Sequence, residues 1–156
     1  MNVVRSRGRF LLLLIVVYAA DVALTLAGQP AAYWRGDYGL AVEANPLAYP
    51  LLVRSPWAFV VATLVWGVCL AGVVWRWRHR AGEWLALLLT IGHAVGGASW
   101  LARLGAVGWA FALAHLVAVT LGIRWCRHHA EPADARRPPP VAGAVLRAGA
   151  EADSPP

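Results

Sequence analysis

Four long apolar runs separated by short polar stretches set the pattern of this chain. Residues 10–28 read FLLLLIVVYAADVALTLAG and residues 57–75 read WAFVVATLVWGVCLAGVVW, and two further runs fill 84–101 and 107–125. A helix that crosses the ~30 Å hydrocarbon layer needs about 20 mostly apolar residues at ~1.5 Å rise each. Each run approaches that length, so the pattern predicts an all-α, integral membrane four-helix bundle. The third and fourth runs are joined by a few residues only, which forces an antiparallel hairpin. Between the first two lies a polar, aromatic loop over 29–56, QPAAYWRGDYGLAVEAN and onward. Its Tyr33, Trp34 and Tyr38 suit a membrane–water interface. Asn45 followed by Pro46 reads as a helix start, with Asn as N-cap and Pro at the first helical position, and predicts a short helix over 46–54. Residues 1–126 therefore form one transmembrane domain. Residues 127–156, rich in Pro, Ala, Gly and charge, read as a disordered tail.

Charge fixes a direction for this topology. The chain carries 14 basic residues against eight acidic ones, all 14 being arginine. They cluster at Arg5, Arg7 and Arg9, at Arg76, Arg78 and Arg80, and after Ile123, whereas the opposite ends of the spans hold only Arg35, Arg54 and Arg103. The positive-inside rule then puts both termini and the tail in the cytoplasm of a multi-pass cell-membrane protein, the inner membrane where a cell has two. Trp75, Trp77, Trp84 and Trp125 mark the inner interface, and Trp34, Trp57, Trp100 and Trp109 the outer one. Arginines placed at span ends explain the net charge of +6 without nucleic acid as a partner. The first run is too long for a signal-peptide core and contains an acid, so it reads as a retained helix. Cys69 and Cys126 form no CxxC pair, which argues against a disulfide framework or a thiolate zinc site.

The acid inside the first run, Asp21, is the candidate around which function is built. An ionisable side chain in a spanning helix costs roughly 2.5–3.5 kcal/mol on insertion scales and is a functional-site hypothesis by default. Helical spacing puts Tyr18, Asp21, Thr25 and Gly28 on one stripe. On the third span Thr90, His93, Gly97 and Trp100 share another. On the fourth, Ala110, Ala114, Ala118 and Gly122 form a small-residue row that permits close packing. Counting helical rise, Asp21, His93 and His115 all lie roughly 10–13 Å below the outer surface. An acid and two imidazoles at one level could share a divalent metal such as zinc, in the manner of hydrolytic sites, which would make the protein an intramembrane metal-dependent hydrolase. Alternatively, His93 and His115 could ligate haem b, with Gly92, Gly96 and Gly97 making room. In a third reading the same groups line a polar cleft for a ligand, an ion or proton path, or a membrane protein partner or second copy. Glu43 and Asn45, with Thr25 and Trp100, would gate or bind ligand at the outer mouth. Against all of these stands a structural protein whose polar residues only pair its helices. A nucleophilic role for Ser99 lacks support, since it is off the His93 stripe and no GxSxG elbow is present.

The D-x3-T pattern of Asp21 and Thr25, followed by the E-x-N-P pattern of Glu43, Asn45 and Pro46, resembles a family of small, uncharacterised four-span bacterial and archaeal membrane proteins (DUF5658-like). The resemblance covers the first third of the chain. It implies a compact helical membrane domain and draws attention to those five residues, but carries no established activity.

Overall fold

In a computed structural model, residues 2–77 and 80–128 are described. The elements are α1 (Asn2–Ala27), α2 (Ala31–Trp34), a 3-10 turn (Tyr38–Leu40), α3 (Tyr49–Arg54), α4 (Pro56–Arg76), α5 (Arg80–Ala102) and α6 (Gly105–His128). Four of them, α1, α4, α5 and α6, are long and apolar enough to cross a membrane, and among the described residues there is no strand. The four-span expectation holds, with each helix longer than its apolar run. α1 begins at Asn2, so Arg5, Arg7 and Arg9 belong to the helix. α6 continues through Arg127 and His128, which removes those two residues from the expected tail. Residues 129–156, and Arg78 and His79 of the basic turn, lie outside the described residues.

Local chemistry explains the ends. Ser55 caps α4, its hydroxyl accepting from the Ala58 amide at 3.0 Å, and Pro56 follows at the first helical position, where no amide is needed. The α5–α6 turn needs only Arg103 and Leu104, because Gly105 takes a φ of 76°, in the left-handed region that favours glycine. The loop departs from expectation. Asn45 does not cap a helix directly: its Oδ1 accepts from the Leu47 amide at 3.0 Å, its carbonyl receives Ala48 and Tyr49, and α3 starts only at Tyr49. The short α2 and the 3-10 turn are further additions to the expected loop.

α5 is the hub. It packs most extensively on α1, which runs parallel to it, and on α6, which returns antiparallel, while α4 leans on α1 and α3. Lipid offers no hydrophobic drive for helices to associate, so close backbone approach and hydrogen bonds must supply the contact. Accordingly α5 buries Gly82, Ala86, Ala94, Gly97 and Ala98. Large aliphatic and aromatic side chains face outward; Val68 is 72% exposed. Phe10, Leu14, Val74, Ala86 and Cys126 form a core at the end holding the α4–α5 turn. Val17, Ala94 and Val119 fill the middle. Tyr33, Ala41, Leu52 and Phe59 seat the loop at the other end.

One packing expectation is corrected. Ala110, Ala114 and Ala118 are exposed, and only Gly122 of that row is partly buried, where an added Cβ would meet Leu13. The inward stripe of α6 is instead Gly108, Ala112, His115, Val119 and Cys126, spaced four, three, four and seven. Gly67 lies against the Tyr18 ring, Gly72 borders open space, and Cys69 is exposed.

Candidate functional site

The α1 stripe does what its spacing predicts. Tyr18 reaches α4, donating its hydroxyl to the Thr63 carbonyl at 2.6 Å. Asp21 reaches α5, where its Oδ2 lies 2.8 Å from Nδ1 of His93. A carboxylate only accepts, so Nδ1 carries the proton and Nε2 is the nitrogen left for another partner. The pair is half-buried, with 24% of the His93 side chain and 18% of the Asp21 side chain exposed. The Tyr18 ring meets the His93 ring edge to face, centroids 4.6 Å apart.

A missing side chain makes room for this carboxylate. A Cβ at Gly96 would stand 2.7 and 2.9 Å from the two Asp21 oxygens, inside any permissible contact. Asp21 therefore occupies a notch in α5 cut by Gly96, and His93, one turn earlier, closes its side. At the next residue, a Cβ on Gly97 would lie 3.4 Å from Nε2 of His115 and 3.8 Å from the Asp21 Cα. The common level expected for the three groups is thus visible, but they do not converge as ligands. Among the described residues, no three His, Cys, Asp or Glu side chains gather where one metal could be held. His115 points at the Gly97 backbone, and its buried Nε2 has no hydrogen-bond partner. The haem expectation meets a direct obstacle. The space that Gly96 and Gly97 open is filled by Asp21, Leu24 and His115, which leaves no slot for a macrocycle at those residues.

The remaining candidates have local work. Glu43 accepts from the Asn45 amide at 2.8 Å through Oε1, and Asn45 in turn holds Leu47, so both side chains take part in the turn that leads into α3. Thr25 is buried one turn beyond Asp21, and its carbonyl accepts from Gln29 at 2.9 Å. Trp100, expected at the outer interface, is only 7% exposed. Its ring lies directly over Gly28, where a Cβ would collide with it, and the Arg103 guanidinium sits 4.0 Å from the ring centroid. Ser99 is exposed and donates to the Gly96 carbonyl. The other tryptophans assigned to the two interfaces, Trp34, Trp57, Trp75, Trp77, Trp84, Trp109 and Trp125, are all exposed.

Gln29 is the residue that sequence reasoning missed. Its amide donates to both the Thr25 and Val42 carbonyls at 2.9 Å, and its carbonyl oxygen accepts from the Val42 amide at 2.9 Å. This buried side chain, not Glu43, ties the loop to α1. The available signal was a lone amide directly after Gly28 at the end of an apolar helix. Beside it Tyr33 is fully buried, its hydroxyl donating to the Leu52 carbonyl at 3.2 Å. Burial, and then Tyr38 beside it, push the Tyr33 phenol above its usual range.

Fold and site together define a multi-pass, helical protein of the membrane, with an acid–imidazole pair inside its spans. No family model, no curated protein and no solved structure matches the chain.

Proposed function

We propose that this is a proton-binding membrane protein whose working group is the Asp21–His93 pair, set in the outer half of the bilayer with both termini in the cytoplasm. The observation that carries the reading is the 2.8 Å bond between the two side chains, made possible by the Gly96 notch. A carboxylate bonded to Nδ1 fixes the tautomer and turns Nε2 into an accessible base, the arrangement by which proteins make histidine exchange protons near neutrality. Both side chains keep part of their surface outside the helix packing. The arginine distribution supports the orientation. A metal-dependent hydrolase draws less support. With Nδ1 of His93 committed to Asp21, two imidazole Nε2 atoms remain, one fewer than the three protein ligands usual at catalytic zinc.

A second reading has its own observation. Asp21–His93 ties α1 to α5 and Tyr18–Thr63 ties α1 to α4, so the same bonds could serve only to hold helices together. Nitrogen NMR of histidine-labelled protein in liposomes separates the two. The proton site requires the His93 nitrogen signals to respond when the pH of the medium is changed, and that response to differ in Asp21→Asn. A His93 signal that does not respond, in protein whose Asp21→Asn variant is merely less stable, establishes the clamp instead.

A further inference from the structure

The two ends of the bundle differ in charge. At the end holding the α4–α5 turn, the described helices carry seven arginines, three on α1, one each on α4 and α5 and two on α6, against one acid, Glu83. The loop end has Arg35, Arg54 and Arg103 against Asp37 and Glu43. Four of the seven ring one small core: Arg9 precedes Phe10, Arg76 follows Val74 by two residues, and Arg124 and Arg127 bracket Cys126. Arg76, Arg124 and Arg127 are exposed, and among the described residues none of them meets a carboxylate. Tryptophans fix the depth of this charge. Trp75, Trp77, Trp84 and Trp125 are all exposed, as amphipathic rings at a membrane–water interface are. The Arg127 guanidinium lies 6.0 Å from the Trp84 ring centroid, reaching from α6 to α5, and that of Arg9 lies 5.3 Å from Trp125, reaching from α1 to α6. An arginine that served only to orient the chain could extend into water. These two lie over indoles instead, at the level where lipid headgroups sit.

We infer that this basic collar is a docking surface for the headgroup of an anionic phospholipid. The phosphodiester and the guanidiniums are complementary in charge, and a guanidinium offers paired N–H donors that match two phosphate oxygens. Clusters of about four to eight basic residues directly beside a membrane span attract anionic lipid in this way. With no carboxylate on Arg76, Arg124 or Arg127, an arriving phosphate displaces no internal partner. A zwitterionic headgroup brings its own cation, which offsets what its phosphate gains, so the collar favours lipids of net negative charge. Twelve residues of α1, ~18 Å of helix, separate Arg9 from Asp21. The inference therefore stands whether Asp21–His93 is a proton site or a clamp.

The test titrates the full chain, in micelles of uncharged detergent, with phosphatidylglycerol or with phosphatidylcholine of the same chains, and counts bound lipid by native mass spectrometry. Phosphatidylglycerol should bind about 30-fold more tightly, the ratio that two engaged arginines give at ~1 kcal/mol each. Arg124→Gln combined with Arg127→Gln should erase that preference and leave phosphatidylcholine binding unchanged. Arg35→Gln combined with Arg54→Gln, at the loop end, should keep it. Trp84→Leu removes the ring beneath Arg127 but no charge, and should lower the preference about three-fold, as ~0.6 kcal/mol of exposed cation–π contact gives. Should the α6 double variant fail to fold, Arg76→Gln on α4 must lower the preference about five-fold. Equal binding of the two lipids overturns the inference. So does a preference that survives the loss of Arg124 and Arg127, or one that falls equally with Arg35 and Arg54.

Discussion

α1 presents two interfaces that differ in kind. Toward α5 it is closed: Gly96 and Gly97 bring the backbones together, a carboxylate fills the notch, and His93 bonds to it. Toward α4 it is held open, although small residues line that side too, because Tyr18 stands between the helices. Small residues permit close approach in lipid but do not compel it. The outcome is decided by the polar side chain beside them. A short acid that fits into a glycine notch draws helices together, and a long phenol that spans to a distant carbonyl keeps them apart.

The comparison can be broken most severely at Gly96. Gly96→Val sets methyl groups where the Asp21 oxygens lie, and we expect a loss of about 3 kcal/mol, the upper range for overpacking, in unfolding from detergent micelles. Gly92→Val, on the same helix but facing open space, should change stability by less than ~0.5 kcal/mol. Next comes the bond itself. A double-mutant cycle over Asp21→Ala and His93→Ala should return a coupling of about 1.5 kcal/mol, near the top of the range measured between membrane helices. A coupling near zero would mean that the notch, not the pair, closes this face.

Smaller effects sharpen the picture at the loop end and on the open face. Tyr33→Phe removes the bond to the Leu52 carbonyl and should cost about 1 kcal/mol. Its pH dependence has a definite sign. Burial raises the Tyr33 phenol, so the stabilisation is complete below the ordinary tyrosine value of ~10 and is lost as pH rises through the higher folded value. An alkaline unfolding scan should therefore fall less steeply for Tyr33→Phe than for the parent. Tyr18→Phe, which keeps the ring and loses only the hydroxyl, should cost about 0.6 kcal/mol and leave the two helices apart.

Much of this architecture is legible in the amino-acid pattern, for an identifiable reason. A spanning helix has no water to satisfy its backbone, so length and apolarity alone select it, and the four spans follow. Ionisable residues in such segments must face one another or an aqueous route, which is why counting turns brought Asp21 and His93 to one level. The alanine row of α6 failed for a complementary reason. Alanine is content against lipid or protein, so a row of it carries no direction, whereas His115 at the centre of the true stripe does. Glu43 and Asn45 carry local turn bonds that the pattern did not foretell, because loop carboxylates and amides readily bond the backbone next to them. Gln29 stayed hidden because its partners, Thr25 and Val42, offer only main-chain atoms, which leave no trace in a sequence.

The partnership of Asp21 and His93 spans 72 positions of chain. At the ~5–20 residues per second of ribosomal synthesis, the acid emerges about 4–14 s before its imidazole. During that interval the nascent first helix holds a carboxyl group with no mate. It must be shielded by the insertion machinery or left near the bilayer rim until the later hairpin arrives. Assembly order is thereby written into the pair: the carboxyl of α1 finds its mate only after α5 has entered beside it.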